Sequence, residues 1–120
     1  MSQNELLTKI QNLNDQILQG KAMEAFESYY DDDVVMQENE SEPTKGKDLN
    51  RQREIDFFGS LTEFRGAKVL SVAAANDKTF VEWFMDYTHK DWGIRKFHQV
   101  SVQTWKNGKI VNEKFYYGAE

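Results

Sequence analysis

The sequence predicts an α+β fold, with three N-terminal helices packed on an antiparallel sheet. Three observations predict it. Up to Leu61 the apolar residues recur at helical spacing; from Glu63 onward no helical pattern of useful length remains; and "AND", "KDWG" and "KNG" divide that second half into hairpins.

The first helix spans Asn4 to Gln19, where Leu6, Ile10, Leu13 and Ile17 form one apolar stripe among Gln, Asn, Asp and Lys. Gly20 stops it, and Ala22, Phe26, Tyr29 and Tyr30 mark a short second helix that folds back on the first. Asp31, Asp32 and Asp33 sit badly at the negative end of a helix dipole, so they read as a turn after that helix. "VVMQ" is β-branched and reads as a strand, and "ENESEPTKG" is an exposed loop holding the sole proline. A third helix is expected over "KGKDLNRQREIDFFGSL", with Asp48 as N-cap and Leu49, Ile55, Phe58 and Leu61 as its apolar points.

At 120 residues the chain reads as one domain, 1–120, able to bury roughly 60–70% of its unfolded surface around a single core. Charged residues make up 29%, the hydrophobic set 39% and aromatics 13%, which excludes a disordered class. The net charge of -5, with no basic stripe, argues against nucleic acid as a partner. The absence of cysteine rules out disulfides and thiolate metal ligands and fits a reducing compartment. The start, "MSQNELLTKI", lacks a secretion signal, and no stretch approaches the ~20 apolar residues of a membrane span. We therefore expect a cytoplasmic protein with no membrane partner.

Asn107-Gly108 is a strong two-residue hairpin turn, because a type I′ turn needs positive φ at both positions. An unbroken ladder from Lys106 and Lys109 sets Val102 opposite Glu113, Val100 opposite Phe115 and His98 opposite Tyr117. If the turn at Trp92-Gly93 is equally tight, Tyr87 faces His98. One sheet face then carries Trp83, Met85, Tyr87, His89, His98, Val100, Val102, Thr104, Val111, Glu113, Phe115 and Tyr117. This mainly apolar face is the one the helices should cover. A carboxylate on it must be paired, hydrated in a cavity or neutralised by a shifted pKa. The opposite face is mixed, with Phe84, Phe97, Trp105, Ile110 and Tyr116 among polar neighbours, and suits a partner-covered surface.

The order of elements and three strings, "ILQGKAMEAFESYYDDDVVMQ", "TKGKD" and "WKNGKIVNEKFYYG", resemble the nuclear transport factor 2-like superfamily and its SnoaL-like proteins. The resemblance covers nearly the whole chain. It implies a cone-shaped α+β fold, a curved antiparallel sheet wrapped around three helices, an internal pocket, and homodimers formed through the outer sheet face. The superfamily holds isomerases, dehydratases, cyclases, epoxide hydrolases and non-catalytic binders, so fold alone does not decide function. Against the ketosteroid isomerase pattern, the general-base position falls on Gln37, the oxyanion tyrosine near Leu13 and the second aspartate on Ser101 or Val102. An amide cannot abstract a proton and a leucine cannot hold an oxyanion, so steroid isomerisation is not expected.

Six carboxylates crowd the sixteen residues from Tyr29 to Thr44, yet a calcium loop starting at Asp31 would need glycine where Met36 stands. Glu40 and Glu42 read as loop solvation, and only Gln37 or Glu38 can look inward; resemblance selects Gln37, a one-residue bulge Glu38. His98 is either a hydrogen-bonded core histidine or an acid–base group. His89 lies by a turn and reads as solvent-facing. Glu113 is either held structurally by Tyr87, Tyr117 or a backbone amide, or is a pocket acid. The resulting expectation is a binder of a small hydrophobic ligand or an acid–base isomerase, cyclase or hydrolase acting on one, with His98 and Glu113 as catalytic groups. Gln37, Trp83, Met85, Tyr87, Val100, Val102, Phe115 and Tyr117 would line its pocket. No metal and no cofactor are implied. The competing expectation is a non-catalytic dimerisation or protein-interaction module.

Overall fold

The computed structural model describes residues 1–118. The elements run α1 (Gln3–Leu18), α2 (Ala22–Tyr29), β1 (Tyr30–Glu38), β2 (Thr44–Lys45), α3 (Lys47–Gly59), β3 (Leu61–Ala75), β4 (Lys78–His89), β5 (Gly93–Lys106) and β6 (Lys109–Tyr117). The six strands form one sheet in the order β2-β1-β6-β5-β4-β3. All neighbours are antiparallel except β1 and β6, which are parallel, so the sheet is mixed rather than purely antiparallel. The crossover explains this: α3 carries the chain from one sheet edge to the other, and the meander from β3 returns until β6 lies beside β1.

Helix α1 starts at a capping box in which the Ser2 hydroxyl accepts from the Glu5 amide and the Glu5 carboxylate accepts from the Ser2 amide, both at 3.1 Å. Its stripe Leu6, Ile10 and Leu13 is buried against Ala25 and Phe26 of α2 and Val81, Trp83, Trp105 and Ile110 of the sheet. These residues define the inner face, the one the helices cover.

The three aspartates belong to strand β1, not to a turn. Between the pairs Tyr30–Ile110 and Val35–Asn112, β1 advances five residues while β6 advances two, so Asp31 to Asp33 form a bulge within the strand. The Asp31 carboxylate accepts from the Asp33 amide at 2.9 Å, which gives this bulge its local closure. Beyond it Met36 and Glu38 pair with Glu113 and Phe115, and Gln37 pairs with Lys114 on the other face.

Helix α3 also differs from expectation. Gly46, at φ 95°, is its N-cap in place of Asp48, and Leu49, Ile55 and Phe58 are exposed. The buried Asn50 sets this rotation: its Nδ2 donates to the carbonyls of Gly46 at 2.9 Å, Thr44 at 3.0 Å and Val34 at 3.3 Å. Three backbone acceptors outweigh the apolar preference of Leu49, and the inward stripe becomes Asn50, Glu54 and Phe57. Leu61 falls in β3.

Asn107 and Gly108 make the expected turn, at φ 53° and 80°. Lys106 pairs with Lys109 and Trp105 with Ile110, but Thr104 then pairs with Asn112, so Val111 is an extra residue on β6. The bulge lets both Ile110 and Glu113 face inward, although their spacing would otherwise put them on opposite faces. The β4–β5 connection is three residues long, His89 pairing with Gly93, so Tyr87 lies opposite Arg95 and His98 opposite Phe84. The inward residues of β5 are therefore Arg95, Phe97, Gln99, Ser101, Gln103 and Trp105. His98, Val100, Val102 and Thr104, expected inside, lie on the outer face. The inward sets of β4 and the end of β6 agree with the sequence reading.

Deleting Val111 should leave a regular hairpin with Asn112 still opposite Thr104 and Glu113 still inward, whereas inserting an alanine after Asn112 should turn Glu113 outward and Lys114 inward, with loss of the cooperative urea unfolding transition. Ile110→Ala should lower stability by about 2–5 kcal/mol, whereas Ile94→Ala on the outer face should change it by less than about 0.5 kcal/mol.

Candidate functional site

The inner face changes character along β5. Trp105, Gln103 and Ser101 are buried, whereas Gln99, Phe97 and Arg95 are only half-buried. Met85 on β4, Phe115 and Tyr117 on β6, Glu38 on β1, and Glu54 and Phe57 on α3 are half-buried too. Where these residues meet, the helices leave the sheet partly accessible, and this region is the candidate site.

At its closed end runs a chain of buried polar groups. Trp105 Nε1 donates to Thr79 Oγ1 at 2.9 Å, Thr79 Oγ1 donates to Gln103 Oε1 at 2.6 Å, and Gln103 Nε2 donates to Glu113 Oε2 at 2.7 Å. The Tyr30 hydroxyl donates to Glu113 Oε1. Each link consumes a donor and an acceptor, which fixes the amide of Gln103 and both oxygens of Glu113. Burial raises the Glu113 carboxyl above the usual carboxylate range, and the hydrogen bonds from Gln103 and Tyr30 pull it back only in part. Burial and the Glu113 charge together push the Tyr30 phenol well up, so it remains a donor.

Glu54 approaches the same region from α3. Its carboxyl is pushed up to about 7, first by burial and then by the Glu113 charge, with Arg53 opposing and Glu38 adding to the rise. No hydrogen bond contributes to that balance, in contrast to Glu113. Two carboxyls thus differ: one is fixed on both oxygens, the other has no hydrogen-bond partner among the described residues.

Toward the open end, the Tyr117 hydroxyl donates to Glu38 Oε1 at 2.9 Å and Arg53 donates to Glu38 Oε2 at 2.6 Å. Burial, followed by the charge of Glu38, pushes the Tyr117 phenol up to about 12. Tyr87 is buried and its phenol is raised, by burial first, with Arg95 opposing.

Several expected site residues lie elsewhere. His98 is exposed on the outer face against Phe84, because the three-residue turn after His89 reverses the parity assumed for β5. Val100 and Val102 lie outside with it. Gln37 also faces outward, its amide donating to the Ser41 carbonyl at 2.9 Å; the bulge in β1 selects Glu38 for the inner face. His89 is buried rather than solvent-facing, stacked on Trp92 at 3.7 Å, with its Nδ1 accepting from the Asp91 amide. Glu113, Met85, Phe115 and Tyr117 do border the region, with Trp83 and Tyr87 buried in its wall. The partners of Glu113 are Tyr30 and Gln103, not Tyr87 or Tyr117.

Sequence reasoning missed Tyr30, Glu54, Gln103 and Arg95 as inward polar groups and left Glu38 as the alternative to Gln37. The one signal available was the i, i+4, i+7 spacing of Asn50, Glu54 and Phe57, a half-polar stripe overshadowed by Leu49 and Ile55. Among the described residues no three His, Asp or Glu side chains are grouped to hold a metal ion, and no helix is long and apolar enough to cross a membrane. Two surface recesses, of about 280 Å³ beside Leu6 and Trp105 and about 400 Å³ at the start of α3, lie away from Glu54 and Glu113.

This architecture, three helices over one face of a six-stranded curved sheet, is the nuclear transport factor 2-like fold. The SnoaL-like domain profile matches residues 1–117, and the chain belongs to the SnoaL-like domain family. A solved structure from Mesorhizobium loti, assigned as a SnoaL-like polyketide cyclase, superposes with a TM-score of 0.85 at 26% identity, covering 98% of this chain and 100% of that one. An LEH-like epoxide hydrolase of M. tuberculosis is similar at TM-score 0.76 and 14% identity, over 97% of this chain and 84% of that one. A nuclear transport factor 2-like protein of unknown function from Burkholderia xenovorans gives 0.72 at 22% identity, over 94% and 85%. The last two show likeness of fold alone. No curated protein matches the chain.

A carboxyl raised on folding, like that of Glu54, favours the folded state below its ordinary value of 4.5 and loses that advantage as pH rises through about 7. The thermal midpoint should therefore fall between pH 4.5 and 7 more steeply in the unsubstituted protein than in Glu54→Gln. Calorimetry of the two proteins across that range checks the difference.

Proposed function

We propose that this protein binds a small, mostly apolar molecule between α3 and the inner face of the sheet and performs proton transfer there, with Glu54 as the group that moves the proton. The carrying observation is the unclaimed Glu54 carboxyl beside the anchored Glu113. A carboxyl pushed up to about 7 is present in both protonation states near neutrality, the condition under which general acid–base catalysis is most effective. Glu113, expected from sequence as an acid–base group, here acts with Glu54: held by Tyr30 and Gln103, it supplies the negative field that keeps Glu54 protonatable. Met85, Phe97, Phe115 and Phe57 offer the apolar walls of a cone-shaped pocket. Substrates with an acidic C–H beside a carbonyl, or with an epoxide, fit one mobile proton and no cofactor. The cyclase and epoxide hydrolase assigned to structural neighbours lend support to that class.

A second surface supports a second element of the reading. On the outer face Val100 and Tyr116 pair across β5 and β6 at 38% and 46% exposure, next to the Phe84–His98 contact. We propose that this strip meets a second copy of the chain, which would cover apolar area that water solvates poorly. On this reading His98 belongs to the interface.

A panel of apolar ketones and epoxides, followed by mass spectrometry, should identify a turned-over substrate. On it, Glu54→Gln should lower kcat by about 100-fold or more, and Glu113→Gln should move the acidic limb of the pH profile downward by removing the neighbouring charge. Full activity of Glu54→Gln would overturn the assignment. Light scattering should give a dimer mass, and Val100→Lys should shift it to monomer without lowering the thermal midpoint.

A further inference from the structure

The chain has four arginines, and three of them are committed. Arg51 pairs with Glu27 and Asp48, Arg53 with Glu38, and Arg65 with Asp86 and Glu63. Arg95 is different. Its guanidinium lies 5.0 Å from the centre of the Phe97 ring, its Nε is buried, and among the described residues that Nε has no hydrogen-bond partner. The side chain is half-buried, and a buried N–H of a cation left unpaired is unfavourable, so its place on the inner face calls for an acceptor.

The surroundings specify that acceptor. Tyr87 lies directly opposite Arg95 in the β4–β5 register, and its phenol is influenced by the guanidinium. Glu38, the nearby carboxylate, is already held by Arg53 and Tyr117. An incoming anion therefore meets the unpaired Nε–H and the N–H groups of the guanidinium that Tyr87 does not engage, the Tyr87 hydroxyl as a further donor and an aromatic floor, a set that matches a carboxylate or sulfonate better than a neutral carbonyl. At the other end stand Glu54 and Glu113, which repel a second negative group.

We propose that Arg95 is an anion-recognition residue and that the ligand is an apolar acid, held by its charged group at Arg95 and Tyr87. Its apolar body runs past Phe97, Met85 and Phe115 toward Glu54. This substrate class rests on the binding reading above and adds to it a single negative charge at the open end.

A matched pair of dyes tests it: anilinonaphthalene sulfonate, and N-phenylnaphthylamine, which has the same rings without the sulfonate. The unsubstituted protein should bind the sulfonate more tightly, and Arg95→Gln should weaken sulfonate binding about tenfold while leaving the neutral dye unchanged. Arg95→Lys, which keeps the charge but not the fork, should fall between them. In the unsubstituted protein, the Arg95 Nε–H resonance should shift on adding the sulfonate and stay still with the neutral dye, a readout that survives if Arg95→Gln does not fold. If both dyes bind and neither the substitution nor the resonance responds to the sulfonate, the anion role is wrong and the binding reading stands. If neither dye binds, the binding reading fails and the Arg95 assignment with it.

Discussion

The arrangement depends on the bulge that absorbs one extra residue. Val111 has no partner across the last hairpin, and because a bulge takes it up, Ile110 seals the core and Glu113 still faces inward. In an unbroken hairpin with Trp105 inside, Asn112 and Lys114 would point at the helices and Glu113 at water. The polar chain from Trp105 through Thr79 and Gln103 to Glu113 exists because the bulge returns β6 to the right parity at the right depth. A second irregularity, the aspartate bulge in β1, does the same for Tyr30 and Glu38.

The two carboxyls of the site divide roles through solvation and hydrogen bonding, not through identity. Glu113 is more deeply enclosed, yet two donors fix its oxygens, and its charge is what a neighbour feels. Glu54 rides on a helix whose rotation is set by Asn50, so the contacts of one amide with three carbonyls at the start of α3 determine where the Glu54 carboxyl stands one turn later. Burial in a low dielectric is the condition for the shift at Glu54.

The elements were largely legible in the sequence and their facing only in part. Leu6, Ile10 and Leu13 announce α1 because burial and helical period agree, and Asn107-Gly108 announces its turn because few other pairs accept that backbone. Parity is harder, since a sheet side chain reverses with each inserted residue and neither Val111 nor the Lys90–Trp92 turn carries a compositional mark. Glu113, Phe115 and Tyr117 were read correctly on β6, while His98, Val100 and Val102 were misplaced by one position on β5. On α3 the apolar pattern misled, because Leu49, Ile55 and Phe58 face solvent and the polar Asn50 and Glu54 face in. Satisfying backbone carbonyls outranked hydrophobicity there, and no periodicity count weighs that.

The parallel seat of β1 beside β6 has a temporal side. Tyr30 and Glu113 stand 83 residues apart, and β1 finds its neighbour only once β6 exists. During synthesis the early helices and β1 must wait, with the hydroxyl of Tyr30 still in water, while the meander assembles hairpin by hairpin. Closing so long a loop is slow, and it comes late. The carboxyl that organises the site is thus shut in by one of the final events of folding, after which the interior has no further chance to choose its water.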